Sequence, residues 1–190
     1  MNWDSTRIGQ ASSSVFSLAL MITGLVAVAS FTPANTVKLS PATYVRPALS
    51  TFDSNLLAEI NHARSTRGLR TLTVTAGTTD IAHGWSCHQL SNRVLAHNGR
   101  LASELNTHGS RYWTSYAENV GYESSSGRAI TLFRAYMNSP AHRANILDPS
   151  ARFIGVWTKT GRSARYNTID FVGQTTRAYT NTYGSTRATC

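Results

Sequence analysis

Asn138-Ser139-Pro140-Ala141-His142-Arg143-Ala144-Asn145-Ile146-Leu147 is the most informative run in the chain. Ala129, Ile130, Phe133 and Tyr136 or Met137 precede it at helical spacing. A proline disfavours helical geometry at the residue before it, so this helix is expected to stop at Ser139-Pro140. His142 then follows in a compact polar turn, which Arg143 and Asn145 are placed to brace. Upstream stand Leu95-Ala96-His97-Asn98 and Ala117-Glu118-Asn119-Val120-Gly121. Two imidazoles and a carboxylate suit a divalent ion. Roughly 20 residues separate each from the next, so only folding brings them together. Each also has a structural reading: Glu118 holding a loop, Asn119 anchoring local backbone.

Outward from this run the elements change character. A first helix is expected from about Thr51, capped by Asp53 or a neighbouring Ser or Thr. Leu56, Leu57, Ile60 and Ala63 carry its period, and Gly68 is placed to end it. Leu72 and Val74 are a short extended pair. A second helix is expected from about Thr79 to Arg93, with Ile81, Trp85 and His88 or Gln89 on one face. Leu101, Ala102 and Leu105 suggest a short third helix, and Asn119 to Tyr122 a short strand or ordered loop. Phe153 to Thr158 and Asn167 to Gly173 read as two strands joined at Thr160-Gly161-Arg162-Ser163. Helices first and an antiparallel pair last favour an α+β fold over a doubly wound parallel sheet. His83 and His88 have a poor metal spacing, His62 reads as a helix-face residue and His108 as a surface residue. Trp85, Trp113 and Trp157 read as core.

The chain of 190 residues is 41% hydrophobic and 14% charged, enough to bury one core. No repeat is visible, and no apolar run suits a polytopic membrane protein. Eighteen Lys and Arg against nine Asp and Glu give a formal charge of +9, with Lys38 and Lys159 the only lysines. The arginines are scattered without a dense run, which argues against nucleic acid and for anionic envelope polymers or headgroups.

Arg7, a serine stretch and the apolar run Val15 to Phe31 describe an export signal, with Ala27-Val28-Ala29 as a small-x-small cleavage site. The alternative is an uncleaved anchor with the domain outside the membrane. The expected organisation is therefore a signal over 1–29, a linker over 30–50, a domain over 51–176 and a tail over 177–190. Export makes a disulfide feasible. Cys87 and Cys190 are the two cysteines available; free thiols or an intermolecular bond are the alternatives.

The chain resembles the CAP superfamily, named for cysteine-rich secretory proteins, antigen 5 and pathogenesis-related proteins. It is most similar to the bacterial SCP-like extracellular branch. The resemblance runs from about Phe52 to Gly173. It rests on Leu56 to Arg64 with Gly68-Leu69, His97-Asn98, Leu101-Ala102-Ser103, Ala117 to Gly121, the Asn138 to Leu147 run, Ile154-Gly155-Val156 and Asp170 to Gly173, in that order. It implies a three-layer α-β-α sandwich with a small antiparallel sheet between helices. It also implies a cleft, in which His97 matches the first histidine, Glu118 the glutamate and His142 the second histidine. A second acidic residue, frequent shortly before that last histidine, is replaced here by Ser139, Pro140 and Ala141. Three ligands and water would then complete a shell around a divalent metal such as zinc.

The function this implies is a secreted domain binding a lipid, a peptide or another cell-envelope component in a cleft of His97, Glu118 and His142, supported by Asn119, Arg143 and Asn145. Two other classes stay open. One is a hydrolase activating water with the cleft residues. The other is an extracellular interaction module without chemistry.

Overall fold

The computed structural model describes residues 7–10, 48–107 and 113–173. They belong to one compact unit, residues 1–11 with 47–190.

Helix α1 covers Thr51–Ser65. Its cap is Ser50, whose Oγ accepts from the Asp53 N–H at 3.1 Å and donates to Asp53 Oδ2 at 2.7 Å. Leu56, Ile60 and Ala63 are its buried stripe. Gly68 comes next at φ +69°, a left-handed geometry that glycine takes without steric cost.

Strand β2 is Thr73–Val74. Helix α2, Ala76–Asn92, starts three residues ahead of the expected Thr79. The difference lies at Thr75, whose carbonyl accepts from both the N–H and the Oγ1 of Thr79. Its buried face is Ile81, Ala82, Ser86 and Gln89, while His88 is exposed and Trp85 half-buried. The stripe escapes apolar periodicity because half of it is polar. Ser86 Oγ bonds the Trp157 carbonyl and Thr168 Oγ1, and Gln89 Nε2 donates to the same hydroxyl.

Helix α3 is Leu101–Thr107. Strand β3 is Ser115–Ser124, far longer than the short strand or loop expected around Asn119. Helix α4, Ala129–Asn138, ends where proline requires. Another short helix, α5 (Pro140–Ile146), then begins with Pro140 in its first turn. His142 therefore sits on a helix and not in a turn. Proline at a first helical position costs nothing, because that N–H has no intrahelical partner. Strands β4 (Ala151–Thr160) and β5 (Ala164–Gly173) form the closing hairpin.

A further short strand, Arg7–Gln10, is β1. The sheet order is β1-β3-β5-β4-β2. The β1/β3, β3/β5 and β5/β4 pairs are antiparallel. The β2/β4 pair is parallel, so the sheet is antiparallel except at that edge. β1 lies ahead of the expected cleavage site, so the structure gives part of the expected leader a place beside β3. The apolar run Val15 to Phe31, the 30–47 part of the linker and the tail beyond 173 lie outside the described residues. Among the described residues no helix is long and apolar enough to cross a membrane.

The two sheet faces carry separate cores. Leu56, Ile60, Leu132, Tyr136, Ile146, Ile154, Val156, Ile169 and Phe171 join α1, α4 and α5 to one face. Ile81, Leu101, Leu105 and Val172 join α2 and α3 to the other. The result is the α+β sandwich that the sequence predicts. Gly155 marks the closest approach of a layer: a Cβ there would collide with the backbone of Thr78 and Thr79.

Candidate functional site

The site is built around β3. Successive strand side chains point to opposite faces, so neighbours serve different layers. Glu118 goes to the α2–α3 side. Its Oε1 accepts from His97 Nδ1 at 2.7 Å and from the Asn98 N–H at 2.9 Å. Glu118 is fully buried, and the His97 side chain is 13% exposed. Asn98 is locked as well: its Nδ2 donates to Glu104 Oε2, and its Oδ1 accepts the Arg100 N–H as α3 begins.

Asn119 goes to the α4–α5 side. Its Nδ2 donates to the His142 carbonyl at 3.1 Å, and its Oδ1 accepts from Asn145 Nδ2 at 2.9 Å. Asn145 Nδ2 also donates to the Glu118 carbonyl. Asn119 and Asn145 thus clamp α5 onto β3. His142 is fully buried, with its ring 5.2 Å from that of Tyr136. The Tyr136 hydroxyl donates to Asn167 Oδ1 at 2.7 Å. Burial first, then the Glu118 and Glu123 carboxylates, push it well above the usual phenol range. Gly121 is a glycine because the Tyr136 ring occupies the space a Cβ would take.

Arg143 is exposed and donates to the Met137 carbonyl. It therefore pins α5 to the end of α4. Cys87 is buried on α2. Cys190, its expected partner, lies outside the described residues, as does His108. His83 is half-buried with its ring 4.4 Å from that of Trp157, and His62 is exposed.

Two contributors escape a sequence reading. Asn98 shapes the His97 loop, and the one signal for it is its place directly after a site histidine. Arg64 is fully buried in α1. It donates to the carbonyls of Ile146 and Asp148, at and just beyond the end of the His142 helix. Its neighbour Ala63 marks a core stripe, but nothing local marks an arginine that faces inward.

Chemically, the His97–Glu118 bond sets a tautomer. With the proton on Nδ1, Nε2 keeps its lone pair, the arrangement of imidazoles that bind metals or take protons. Glu118 Oε2 is buried without a hydrogen-bond partner among the described residues. These two observations fit a cation or a donor group at the pair. Among the described residues, no group of three or more His, Cys, Asp or Glu side chains is gathered to hold a metal ion.

A family model for CAP, described as the cysteine-rich secretory protein family, matches residues 57–175. The chain belongs to the CAP family. No curated protein matches it. Among solved structures, this CAP chain is similar to an outer surface protein of Borrelia burgdorferi. That match has TM-score 0.57 and 17% identity, covering 64% of this chain and 91% of the other. An extracellular protein of Bacillus anthracis containing an SCP domain gives TM-score 0.53 and 21% identity. It covers 64% of this chain and 40% of the other. NaASP2, solved with Zn2+, gives TM-score 0.50 and 12% identity, over 65% and 80% of the two chains. At these identities the likeness is one of fold.

Proposed function

We propose that this CAP domain works outside the cell as a binding domain. In this reading His97, Glu118 and His142 recognise a lipid, a peptide or another cell-envelope component, with or without a divalent cation. The observation that carries it is the 2.7 Å His97–Glu118 bond over a buried carboxylate whose second oxygen has no hydrogen-bond partner among the described residues. A buried acceptor left without a donor costs about 1–3 kcal/mol, which a fold without a use for it would tend to remove. Extracellular action is supported by the leader-like N-terminus and by relatives described as outer-surface or extracellular. Zinc is the cation to test first, given NaASP2 and the imidazole that Glu118 orients at His97. His97 would hold it through Nε2, with Glu118 orienting that ring from Nδ1 and His142 as the second histidine offered by the cleft. Bound zinc would supply a Lewis-acidic centre for an anionic or carbonyl group. The protein's own part is to fix the His97 tautomer through Glu118 and to hold α5 through Asn119 and Asn145.

The test is calorimetric titration of zinc into the full chain, beside the His97→Ala/His142→Ala double variant. One-site saturable binding, lost in a folded double variant, is expected. Binding that survives in the double variant would overturn the assignment. Zinc-dependent turnover of ester or peptide substrates would move the reading to the hydrolase class.

A further inference from the structure

A cavity of about 410 Å³ lies away from the His97–Glu118 pair, where the N-terminal ends of α1 and α4 meet β5. That volume suits a small organic ligand. Its walls include Phe52, Asn55, Glu59, Arg128, Ile130 and Arg165.

Arg165 is half-buried, with its guanidinium 4.7 Å above the Phe52 ring. Its Nη1 donates to the Gly127 carbonyl at 2.9 Å. Its Nε is buried and has no hydrogen-bond partner among the described residues. The Arg128 side chain is exposed and makes no hydrogen bond or ion pair among those residues. Arg128 holds the N-cap position of α4, where a donor-only side chain leaves the first-turn N–H groups without a side-chain cap. Two cations and an uncapped helix start therefore border one cavity, on a chain with formal charge +9.

Three carboxyl groups surround these cations. Glu59 is in the wall, and Asp53 and Glu123 face Arg165 from α1 and β3. Burial pushes both Asp53 and Glu123 up from their ordinary carboxylate values, while the Arg165 charge opposes that shift. Asp53 is also occupied by Ser50 and Thr158 Oγ1.

We propose that this cavity is an anion site for a phosphate ester, held by Arg128 and Arg165 with its organic part against Phe52 and Ile130. Arginine presents paired N–H donors that match phosphate oxygens, and a partly desolvated site strengthens each bond. The ester could belong to a lipid headgroup or to a soluble or polymeric phosphodiester; the chemistry recognised is the same. The site is separate from the cleft, and it stands or falls independently of the function proposed for the cleft.

The experiment titrates inorganic phosphate and glycerol phosphate into the full chain by calorimetry, and measures co-sedimentation with phosphatidylglycerol and phosphatidylcholine vesicles. Arg128→Gln is the main variant, because its side chain holds nothing among the described residues. Arg70→Gln, beyond the far end of α1, controls for net charge. Glu59→Gln should tighten binding by removing a repulsive carboxylate. Arg128→Gln is expected to weaken binding by about tenfold or more, with Arg70→Gln close to the parent. Binding to soluble phosphates alone assigns polymer or free ester. Loss of phosphatidylglycerol binding on Arg128→Gln assigns a headgroup. Equal effects of Arg128→Gln and Arg70→Gln, or no saturable binding to any probe, would overturn the site.

Discussion

Arg64→Met is the most searching perturbation of the fold around the site. Arg64 is fully buried, and among the described residues its hydrogen bonds go to main chain and not to a carboxylate. Four backbone carbonyls solvate its charge. Nε donates to Arg70 at 2.8 Å, Nη1 to Ile146 at 2.8 Å and Asp148 at 3.0 Å, and Nη2 to Ala151 at 3.3 Å. Burial pushes the guanidinium below its ordinary pKa, with the Asp148 charge opposing that shift. Methionine removes the cost of burying a cation and keeps much of the packing volume. When both partners of a buried pair become apolar, such exchanges can even stabilise. Here the partners are main-chain carbonyls and cannot be exchanged. The bonds to Ile146 and Ala151 are wholly buried, but Ala151 keeps a second donor in Arg152 Nη1 at 2.9 Å, so Ile146 is the buried acceptor that loses its donor without gaining water. At about 1–3 kcal/mol for an orphaned buried group, the loss should be about 1–3 kcal/mol. That is a measurable part of the ~5–15 kcal/mol that holds a typical domain together. Arg64→Lys keeps the charge but cannot span four acceptors, and should fall between parent and Met. Urea unfolding followed by circular dichroism reads all three chains, with slopes unchanged. Amides of α5 should also exchange faster in Arg64→Met, because the carbonyls holding its end are released. A loss under about 1 kcal/mol would mean that the carbonyls find other donors, and would sink this assignment of Arg64.

Other outcomes rest on single contacts. Gly155→Ala should cost about 1–3 kcal/mol or more, because the obstacle is the α2 backbone; thermal unfolding measures it. His83 titrates below its usual value, pushed down by burial and then by Lys159. The unfolded chain therefore takes that proton first, so this group's stability is present above the ordinary histidine value and is lost as pH falls below it. His83→Gln should flatten the decline in unfolding free energy between pH 7.5 and 5.5, read from urea curves at each pH, with about 6.5 as the upper edge of the window. A Cys87–Cys190 disulfide should leave both thiols unalkylated until reductant is added, and reduction should cost up to about 4–5 kcal/mol in chain-entropy terms.

The α+β order and the hairpin are legible in the sequence because β-branched runs and a Gly161 turn are local signals. The helix stop at Ser139 is legible for the same reason, since proline acts on its neighbours. The helix beyond that stop is not. Pro140 reads as a breaker and also starts α5, and only packing against β3 decides between the two. β3 outruns its sequence signal because its inward residues include Glu118 and Asn119, polar side chains whose partners come from distant loops. The polar face of α2 is hidden for a similar reason: Ser86 and Gln89 are buried by bonding Thr168, more than 75 residues away. Motif order points to His97 and Glu118, and the structure supplies the bond between them. The helix carrying His142 depends on Arg64, whose role no local pattern reveals.

The proposed function turns on whether Glu118 sets His97 as a ligand-ready imidazole. Long-range nitrogen–proton correlation on histidine-labelled full chain reads that state at the ring itself, before and after zinc. The Nδ1–H tautomer is expected at His97, with its loss in Glu118→Ala and a zinc-induced shift of the His97 Nε2 and His142 ring resonances. An Nε2–H tautomer at His97, or ring resonances that zinc leaves unmoved, would rule out a zinc-ready His97–Glu118 pair.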